Sequence, residues 1–431
     1  GMSVDDYIDQ RNPLEAMRIA CQAVAQYIQR FGKLARKMAD EEADPKREKE
    51  LEKIAENCSW VSENPPRTLY EALQLYFFSH CVTQSLEHRE QGLGHRWDVM
   101  FYPYYKKDIE EGGITREEAQ ELVECLILKQ QEIGLLLPRE LHGLWSGAST
   151  LPTVTLGGIT PEGDDASNEF SLVVLDAAIE IKSPHWYLIL RYHPKINPEV
   201  VSRTIDCLRA RIGYPSIHND PVVITYLVNR GIPLEVARNW TINNCVTWTL
   251  PGKCVRVATP NPGAISLGKC FELALNQGKD SFRGKQLGYP TPDPNTFTSF
   301  EDVMEAYLKQ VEFIVGKMGK IDDIAQVIYG RYHQRPYASV LIDDCIEKGK
   351  DCTTWRYTTF PSVRINEIID VADSMAAIKK FVFDDNVITL EELLQALRNN
   401  FEGQEELRQR LINEAPKFGN DDDYVDLITR E

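Results

Sequence analysis

The sequence lacks several features that would assign it to a common class of protein. No run of about 18 consecutive apolar residues occurs in the chain, so we expect no membrane span. The first residues contain neither the basic nor the apolar segment of a secretory signal. None of the ten cysteines forms a Cys-x-x-Cys pair, which argues against zinc ribbons and thioredoxin-like redox sites. We therefore expect a cytoplasmic protein whose thiols are reduced.

The sequence also has fewer basic than acidic residues. It contains 48 Lys and Arg residues and 65 Asp and Glu residues, which gives a net charge of −17. A surface of this sign repels nucleic-acid phosphates and anionic lipids, so we expect neither nucleic acid nor membrane as a partner. The acidic run 421–423 lacks the Gly and Glu positions of an EF-hand loop, so no metal site is predicted there. The 431 residues, 43% of them apolar, are enough for one large globular domain or two fused ones.

Hydrophobic spacing divides the chain into two parts. Residues 1–145 are predicted to be helical, with apolar spacing near 3.6 over 14–42 and a helix start at Thr115. Residues 146–431 alternate short apolar β-type runs with helical patterns, which predicts an α/β architecture. The runs that carry this prediction are strands at 153–159 and 186–192 and helices at 168–181 and 197–211.

One loop in the middle of the chain stands out. The segment 244–264 has no sustained helical pattern, and Cys245 follows two polar residues, Asn243 and Asn244. Because no Lys, Arg or His lies within five residues of Cys245, nothing nearby would stabilise a thiolate for ionic nucleophilic chemistry. A buried structural thiol and a reactive thiol are both compatible with this local pattern.

Several ordered blocks resemble those of one known family, the glycyl radical enzymes of the pyruvate formate-lyase-like and glycerol dehydratase-like groups. The resemblance covers nearly the whole chain. Its blocks are Asn64-Pro65-Pro66-Arg67-Thr68, Arg96-Trp97-Asp98, Thr155-Leu156-Gly157-Gly158, His218-Asn219-Asp220, the stretch 371–380 and the stretch 415–426.

The resemblance implies part of a ten-stranded α/β barrel of two antiparallel halves within a large helical surround, with Cys245 on a finger loop inside it. It implies an enzyme, a glycyl radical lyase or an acyltransferase related to formate C-acetyltransferase. A Cys245 thiyl radical would take hydrogen from a small-molecule substrate, and a C–C or C–heteroatom bond would be made or broken. The implied cofactor is a protein glycyl radical, installed by an activase that uses S-adenosylmethionine and an iron–sulfur cluster, and the intact protein would be a homodimer.

The sequence departs from the family at the radical-bearing glycine. No Arg-Val-Ser/Ala-Gly-Tyr motif is present, and the nearest string, 256–259, does not match it. We therefore expect a central fragment that lacks the glycine-radical domain and is inactive alone. An EPR doublet from this chain after treatment with an activase would contradict that expectation. A non-catalytic scaffold or interaction fragment of the same fold is the alternative.

The surroundings of the cysteine also depart from the family. Thr247 stands where many dehydratases have the Glu of Cys-Val-Glu, and a threonine hydroxyl is a poor general base. Val246 replaces the second cysteine of formate lyases. Trp248 suits the apolar substrate of a fumarate-adding enzyme, such as a hydrocarbon-succinate synthase, although core packing explains it equally well. The substrate-binding candidates are Thr247, Trp248, His218, Asn219, Glu90 and Gln91, the last two standing where several dehydratases have a His-Ser pair.

Overall fold

The computed structural model describes residues 4–87, 95–133, 152–183, 186–243, 247–253, 264–355 and 364–431. The chain divides into two compact units. The first consists of Gly1–Ala258 and Ile328–Phe360, and the second of Thr259–Val327 and Pro361–Glu431. The boundary predicted between residues 145 and 146 stays a prediction. Among the described helices, none is both long enough and apolar enough to cross a membrane.

The first unit begins with helices and continues as alternating strands and helices. Its early helices are α1 (Val4–Glu41), α2 (Pro45–Val61), α3 (Leu69–Cys81), a π-helical segment (Val82–Glu87), α4 (Trp97–Met100), α5 (Tyr102–Glu110) and α6 (Arg116–Gln131). Its strands are β1 (His95–Arg96), β2 (Thr153–Gly157), β3 (Tyr187–Tyr192), β4 (Ser216–Asn219), β5 (Thr241–Asn243) and β6 (Thr247–Thr249). The helices among these strands are α7 (Glu169–Ile181), α8 (Pro198–Arg209), α9 (Asp220–Asn229) and α10 (Leu234–Ala237).

The helices predicted over 168–181 and 197–211 and the strands predicted over 153–159 and 186–192 are confirmed to within two residues, whereas β1 is a strand inside the part predicted to be helical. Local capping explains where two helices begin. Thr115 caps α6 as predicted: its hydroxyl accepts from the backbone N–H of Glu118 at 3.1 Å, and the Glu118 carboxylate accepts from the backbone N–H of Thr115 at 2.8 Å. Asn168 caps α7 in the same way, with its side-chain oxygen accepting from the N–H groups of Phe170 and Ser171. These caps satisfy N–H groups that would otherwise have no partner inside the helix.

Strands β1 to β4 form one parallel sheet in that order. Side chains alternate between its two faces. Leu156 and Leu190 lie on one face, which we call the helix face, in the main apolar core with helices α6, α7 and α8. Thr155 and Ile189 are paired on the opposite face, and Ile189 belongs there to a separate apolar core.

A short antiparallel hairpin of β5 and β6 packs beside this opposite face, which we call the hairpin face. Asn243 is paired with Thr247, and Ile242 with Trp248. Ile242 and Trp240 are fully buried in the core that also contains Ile189. The hairpin thus lies against strands of the parallel sheet instead of extending it.

The first unit is discontinuous in sequence. The Glu87 carboxylate accepts hydrogen bonds from the backbone N–H groups of Tyr337 and Ala338, at 2.6 and 2.7 Å. The hydroxyl groups of Ser79 and Tyr337 are 2.9 Å apart. Further along, the Asp343 N–H donates to the Gly252 carbonyl at 2.6 Å. The returning segment contains helices α13 (Pro336–Val340) and α14 (Cys345–Lys348), which follow the long helix α12 (Phe300–Tyr332).

The second unit has its own core. Strands β7 (Ala264–Ser266) and β8 (Arg364–Asn366) are paired in parallel. Its remaining α-helices are α11 (Leu267–Ala274), α15 (Ile368–Ile378), α16 (Leu390–Arg398), α17 (Glu405–Asn413) and α18 (Asp423–Arg430), together with most of α12. The core includes Phe271, Val303, Met375 and Leu393.

Candidate active site

Cys245 itself lies outside the described residues, but both strands that adjoin it in sequence are described. Strand β5 ends at Asn243 and strand β6 begins at Thr247, and the two are paired. The predicted loop cysteine therefore falls in sequence between the two strands of the hairpin. Glu90 and Gln91 also lie outside the described residues, so their predicted substrate contacts stay predictions.

Trp248 is engaged in packing. Its ring lies 4.9 Å from that of Tyr226 on α9, centroid to centroid, in an edge-to-face arrangement. It is partly buried against the apolar core of the hairpin face. This geometry accounts for the tryptophan by its contacts within the protein, and its role as a substrate contact stays a prediction, as does that of Thr247.

His218 and Asn219 lie at the end of β4 and face different surroundings. His218 is paired with Arg191, and its ring centroid is 6.3 Å from that of Trp240. Its Nε2 is 3.2 Å from the hydroxyl of Ser216, and burial lowers the pKa of the imidazole, so the ring is neutral at pH 7. A neutral imidazole offers one hydrogen-bond donor and one acceptor.

Asn219 has a structural partner instead. Its exposed side chain caps α9 by accepting from the backbone N–H of Val222 at 3.4 Å. The sequence predicted that His218 and Asn219 both bind substrate. The structure brings only His218 beside the residues that precede the hairpin, and the substrate contact of either residue stays a prediction.

The sequence did not single out a buried polar cluster beside the hairpin, made of Arg191, Asp220 and Trp240, which we call the bracing cluster. Arg191 and Asp220 have fully buried side chains. The Asp220 Oδ1 accepts from Arg191 Nη2 at 2.7 Å, from Arg191 Nε at 2.9 Å and from Trp240 Nε1 at 2.5 Å. The Arg191 guanidinium donates to the backbone carbonyls of Trp240 at 2.7 Å and Arg238 at 2.6 Å. Although burial lowers the pKa of Arg191 to about 9, the group remains protonated at pH 7.

A second buried pair, Arg96 and Asp98, lies where β1 runs into α4. Arg96 donates to the Gly157 carbonyl at 2.8 Å and to Asn239 Oδ1 at 2.9 Å. Asp98 Oδ2 accepts from the Gly157 N–H at 2.6 Å and from the Ser171 hydroxyl at 2.9 Å. Burial raises the pKa of Asp98 to about 6, against the opposing effect of the Arg96 charge. The sequence offered a signal for Arg191, a charged residue within an otherwise apolar strand, because such residues are buried only with partners. Arg96 lies in a two-residue strand beside His95 and carries no such signal.

Comparison with known proteins gives a consistent result. A family model described as pyruvate formate lyase-like matches residues 2–431. The chain is 35% identical to trans-4-hydroxy-L-proline dehydratase of Clostridioides difficile, over 99% of this chain and 54% of that protein. It is 33% identical to isethionate sulfite-lyase of Oleidesulfovibrio alaskensis, over 100% of this chain and 52% of that protein. The chain thus spans about half the length of the curated relatives it matches.

A solved structure points to the same group of enzymes as the sequence comparisons. The glycerol-bound form of the B12-independent glycerol dehydratase from Clostridium butyricum superimposes with a TM-score of 0.92 at 34% identity, over 100% of this chain and 54% of that one. The predicted fold class is thereby confirmed as the α/β barrel type of these enzymes. These relatives are dehydratases and a sulfite-lyase, which gives no support to the fumarate-adding alternative or to acyl transfer. The chain belongs to the pyruvate formate lyase-like family of glycyl radical enzymes.

Proposed function

We propose that this chain is the thiyl-bearing part of a radical lyase that cleaves a carbon–heteroatom bond in a small hydroxylated substrate. The observation that carries the proposal is the position of Cys245 in sequence, between two paired strands packed on a sheet of this family's fold. The relatives support the substrate class, because hydroxyproline, isethionate and glycerol are all small molecules with a hydroxyl group.

In the proposed reaction Cys245 exchanges hydrogen atoms with the substrate. When the protein glycyl radical is present, it supplies the oxidising equivalent that converts the Cys245 thiol to a thiyl. The thiyl sulfur then takes a hydrogen atom from the substrate carbon that bears the hydroxyl, so that an S–H bond forms and a C–H bond breaks. The heteroatom group on the next carbon leaves with its electron pair, and the substrate hydroxyl loses a proton. Cys245 returns the hydrogen atom to the product radical, and the net change is loss of one HX molecule.

Thr247 limits how the proton is removed. Because a threonine hydroxyl is a poor base at neutral pH, it cannot replace the carboxylate that the dehydratase pattern places two residues after the cysteine. We propose that His218 accepts this proton, because it lies on the hairpin face and its imidazole is neutral. The proposed enzyme is cytoplasmic and dimeric, and is activated by a radical S-adenosylmethionine activase.

The test compares cysteine variants of the complete gene product. The protein is incubated anaerobically with an activase, S-adenosylmethionine and a reductant. It is then offered glycerol, 1,2-propanediol, trans-4-hydroxy-L-proline and isethionate, with products identified by mass spectrometry. We expect turnover of at least one substrate by the wild type, and none by Cys245→Ser even when its glycyl radical is visible by EPR.

Cys125→Ser is the matched control, because Cys125 is exposed on α6 and belongs to no core on the hairpin face. This variant should retain wild-type turnover. Turnover by Cys245→Ser at the wild-type rate would show that another residue abstracts the hydrogen atom.

A further inference from the structure

We propose that Thr155, Arg96 and Arg191 are positioning residues that fix strand β5 and the residues just before it, the stretch that leads in sequence to Cys245. The inference rests on the proposed function, because it concerns how the same thiol is placed. None of the three is in the hairpin, and all three project from strands of the parallel sheet on its hairpin face.

The polar contacts of these residues converge on the few residues that lead into the hairpin. Thr155 Oγ1 accepts from the hydroxyl of Thr241 at 2.7 Å and from the N–H of Ile242 at 3.4 Å. Arg191 donates to the carbonyls of Arg238 and Trp240 at 2.6 and 2.7 Å.

Arg96 adds a contact to the same stretch, because it donates to the Asn239 side chain at 2.9 Å. Each of the five residues from 238 to 242 therefore makes a hydrogen bond with the sheet: residues 238, 239 and 240 accept one, and residues 241 and 242 donate one.

The hairpin needs such support because it is very short. It has three residue pairs, from Thr241 opposite Thr249 to Asn243 opposite Thr247. An isolated two-stranded hairpin is marginally stable even when longer. Its own ladder therefore gives strand β5 little rigidity, and the sheet supplies the additional constraint.

Directional contacts suit this purpose better than apolar packing. The core around Ile189 and Ile242 keeps the hairpin against the sheet, but apolar attraction does not depend on direction and tolerates sliding. Hydrogen bonds weaken steeply with misalignment, so they fix position as well as contact. A buried ion pair such as Arg191–Asp220 contributes little net stability relative to apolar side chains. We therefore attribute the buried charges of Arg191 and Asp220 to the fixed position that they give the hairpin, not to a gain in stability.

Thr155→Val is the most informative change, because it removes the hydroxyl and keeps the shape of the side chain. Thr155→Ser keeps the hydroxyl and loses only the methyl group. Thr204→Val is the matched control, since Thr204 is a fully buried threonine on α8 whose hydroxyl has no hydrogen-bond partner among the described residues. Thr241→Val removes the donor of the 2.7 Å hydrogen bond to Thr155, and it replaces Thr155→Val as the test variant if Thr155→Val does not fold.

Two measurements are made. In the activated gene product we expect Thr155→Val to lower kcat by about 10- to 100-fold with KM nearly unchanged, since a misplacement on the order of 1 Å has an effect of that size. Thr155→Ser should recover most of the rate, and Thr204→Val should match the wild type. Hydrogen–deuterium exchange, which needs no activation, should become faster in residues 239–249 of Thr155→Val and in no segment of the second unit.

The outcomes separate this proposal from the proposed function. If the wild type turns over no substrate, the proposed function fails, while the exchange measurement still decides whether Thr155 orders the hairpin. Unchanged exchange and unchanged kcat in both Thr155→Val and Thr241→Val would overturn the positioning role. An equal loss of kcat in Thr204→Val would also overturn it, because the effect would then be one of general stability.

Discussion

Replacing Arg191 by methionine tests the bracing cluster most directly. The change removes the charge and keeps an unbranched side chain of similar reach. It leaves the fully buried Asp220 carboxylate without its cation, and two backbone carbonyls, those of Arg238 and Trp240, without their donor. Breaking a buried pair by removing one partner costs about 3–5 kcal/mol. We expect a loss of that size in the free energy of unfolding of the first unit.

The measurement is urea unfolding at pH 7, followed by tryptophan fluorescence and far-UV circular dichroism. Arg36→Met is the control, because Arg36 pairs with Glu52 at 3.2 Å while both side chains are about half exposed, and such a pair contributes about 0–1 kcal/mol. The double variant Arg191→Met with Asp220→Asn should be more stable than Arg191→Met alone, since it no longer buries an unpaired charge. A loss below about 1 kcal/mol in Arg191→Met would refute the buried pair that we describe.

Three further predictions follow from described contacts. Gly158→Ala should destabilise the first unit by about 1–3 kcal/mol in thermal unfolding, because Gly158 has a φ of 76° and an added Cβ would lie 2.4 Å from the Arg191 guanidinium. Unchanged stability would contradict this close approach. Thr115→Ala should cost about 1 kcal/mol in urea unfolding through loss of the α6 cap, and Thr115→Ser should restore it. Burial lowers the pKa of His80 to about 3, below its unfolded value of about 6.5, so the unfolded state takes up the proton first and the free energy of unfolding falls as the pH drops below 6.5. His80→Phe should remove about 2 kcal/mol of the stability loss between pH 7 and pH 5. An unchanged dependence of stability on acid pH in this variant would contradict a buried neutral ring.

Much of the local structure was predictable because its causes are local. The spacing of apolar residues predicted α7 and β3, and the Thr115 cap was visible in its own sequence. The position of Cys245 came from ordered blocks spread over the chain, with a loop pattern that agreed with them. These features depend on near neighbours or on a known family.

The bracing cluster could not be predicted in this way. Its members come from β3, the start of α9 and the segment before β5, and they meet only because the sheet has folded. The sequence showed that Arg191 interrupts an apolar strand and would need a partner if buried. It did not show that Asp220 is that partner. Likewise, Trp248 was compatible with a substrate pocket or a core, and nothing in the sequence showed that its ring contacts that of Tyr226.

The discontinuity of the first unit has a consequence for how the protein is made. The partners of Glu87 and Ser79 are Tyr337 and Ala338, and Met17 packs in one apolar core with Ala338 and Ile342. After residue 258 leaves the ribosome, about 70 more residues must be translated before this returning segment starts to appear, which at roughly 5–20 residues per second takes some 4–14 s. For that interval the first unit is incomplete and Met17 lacks its apolar partners. The nascent chain therefore offers a defined window for chaperones, and codons that slow translation between 259 and 327 would lengthen it.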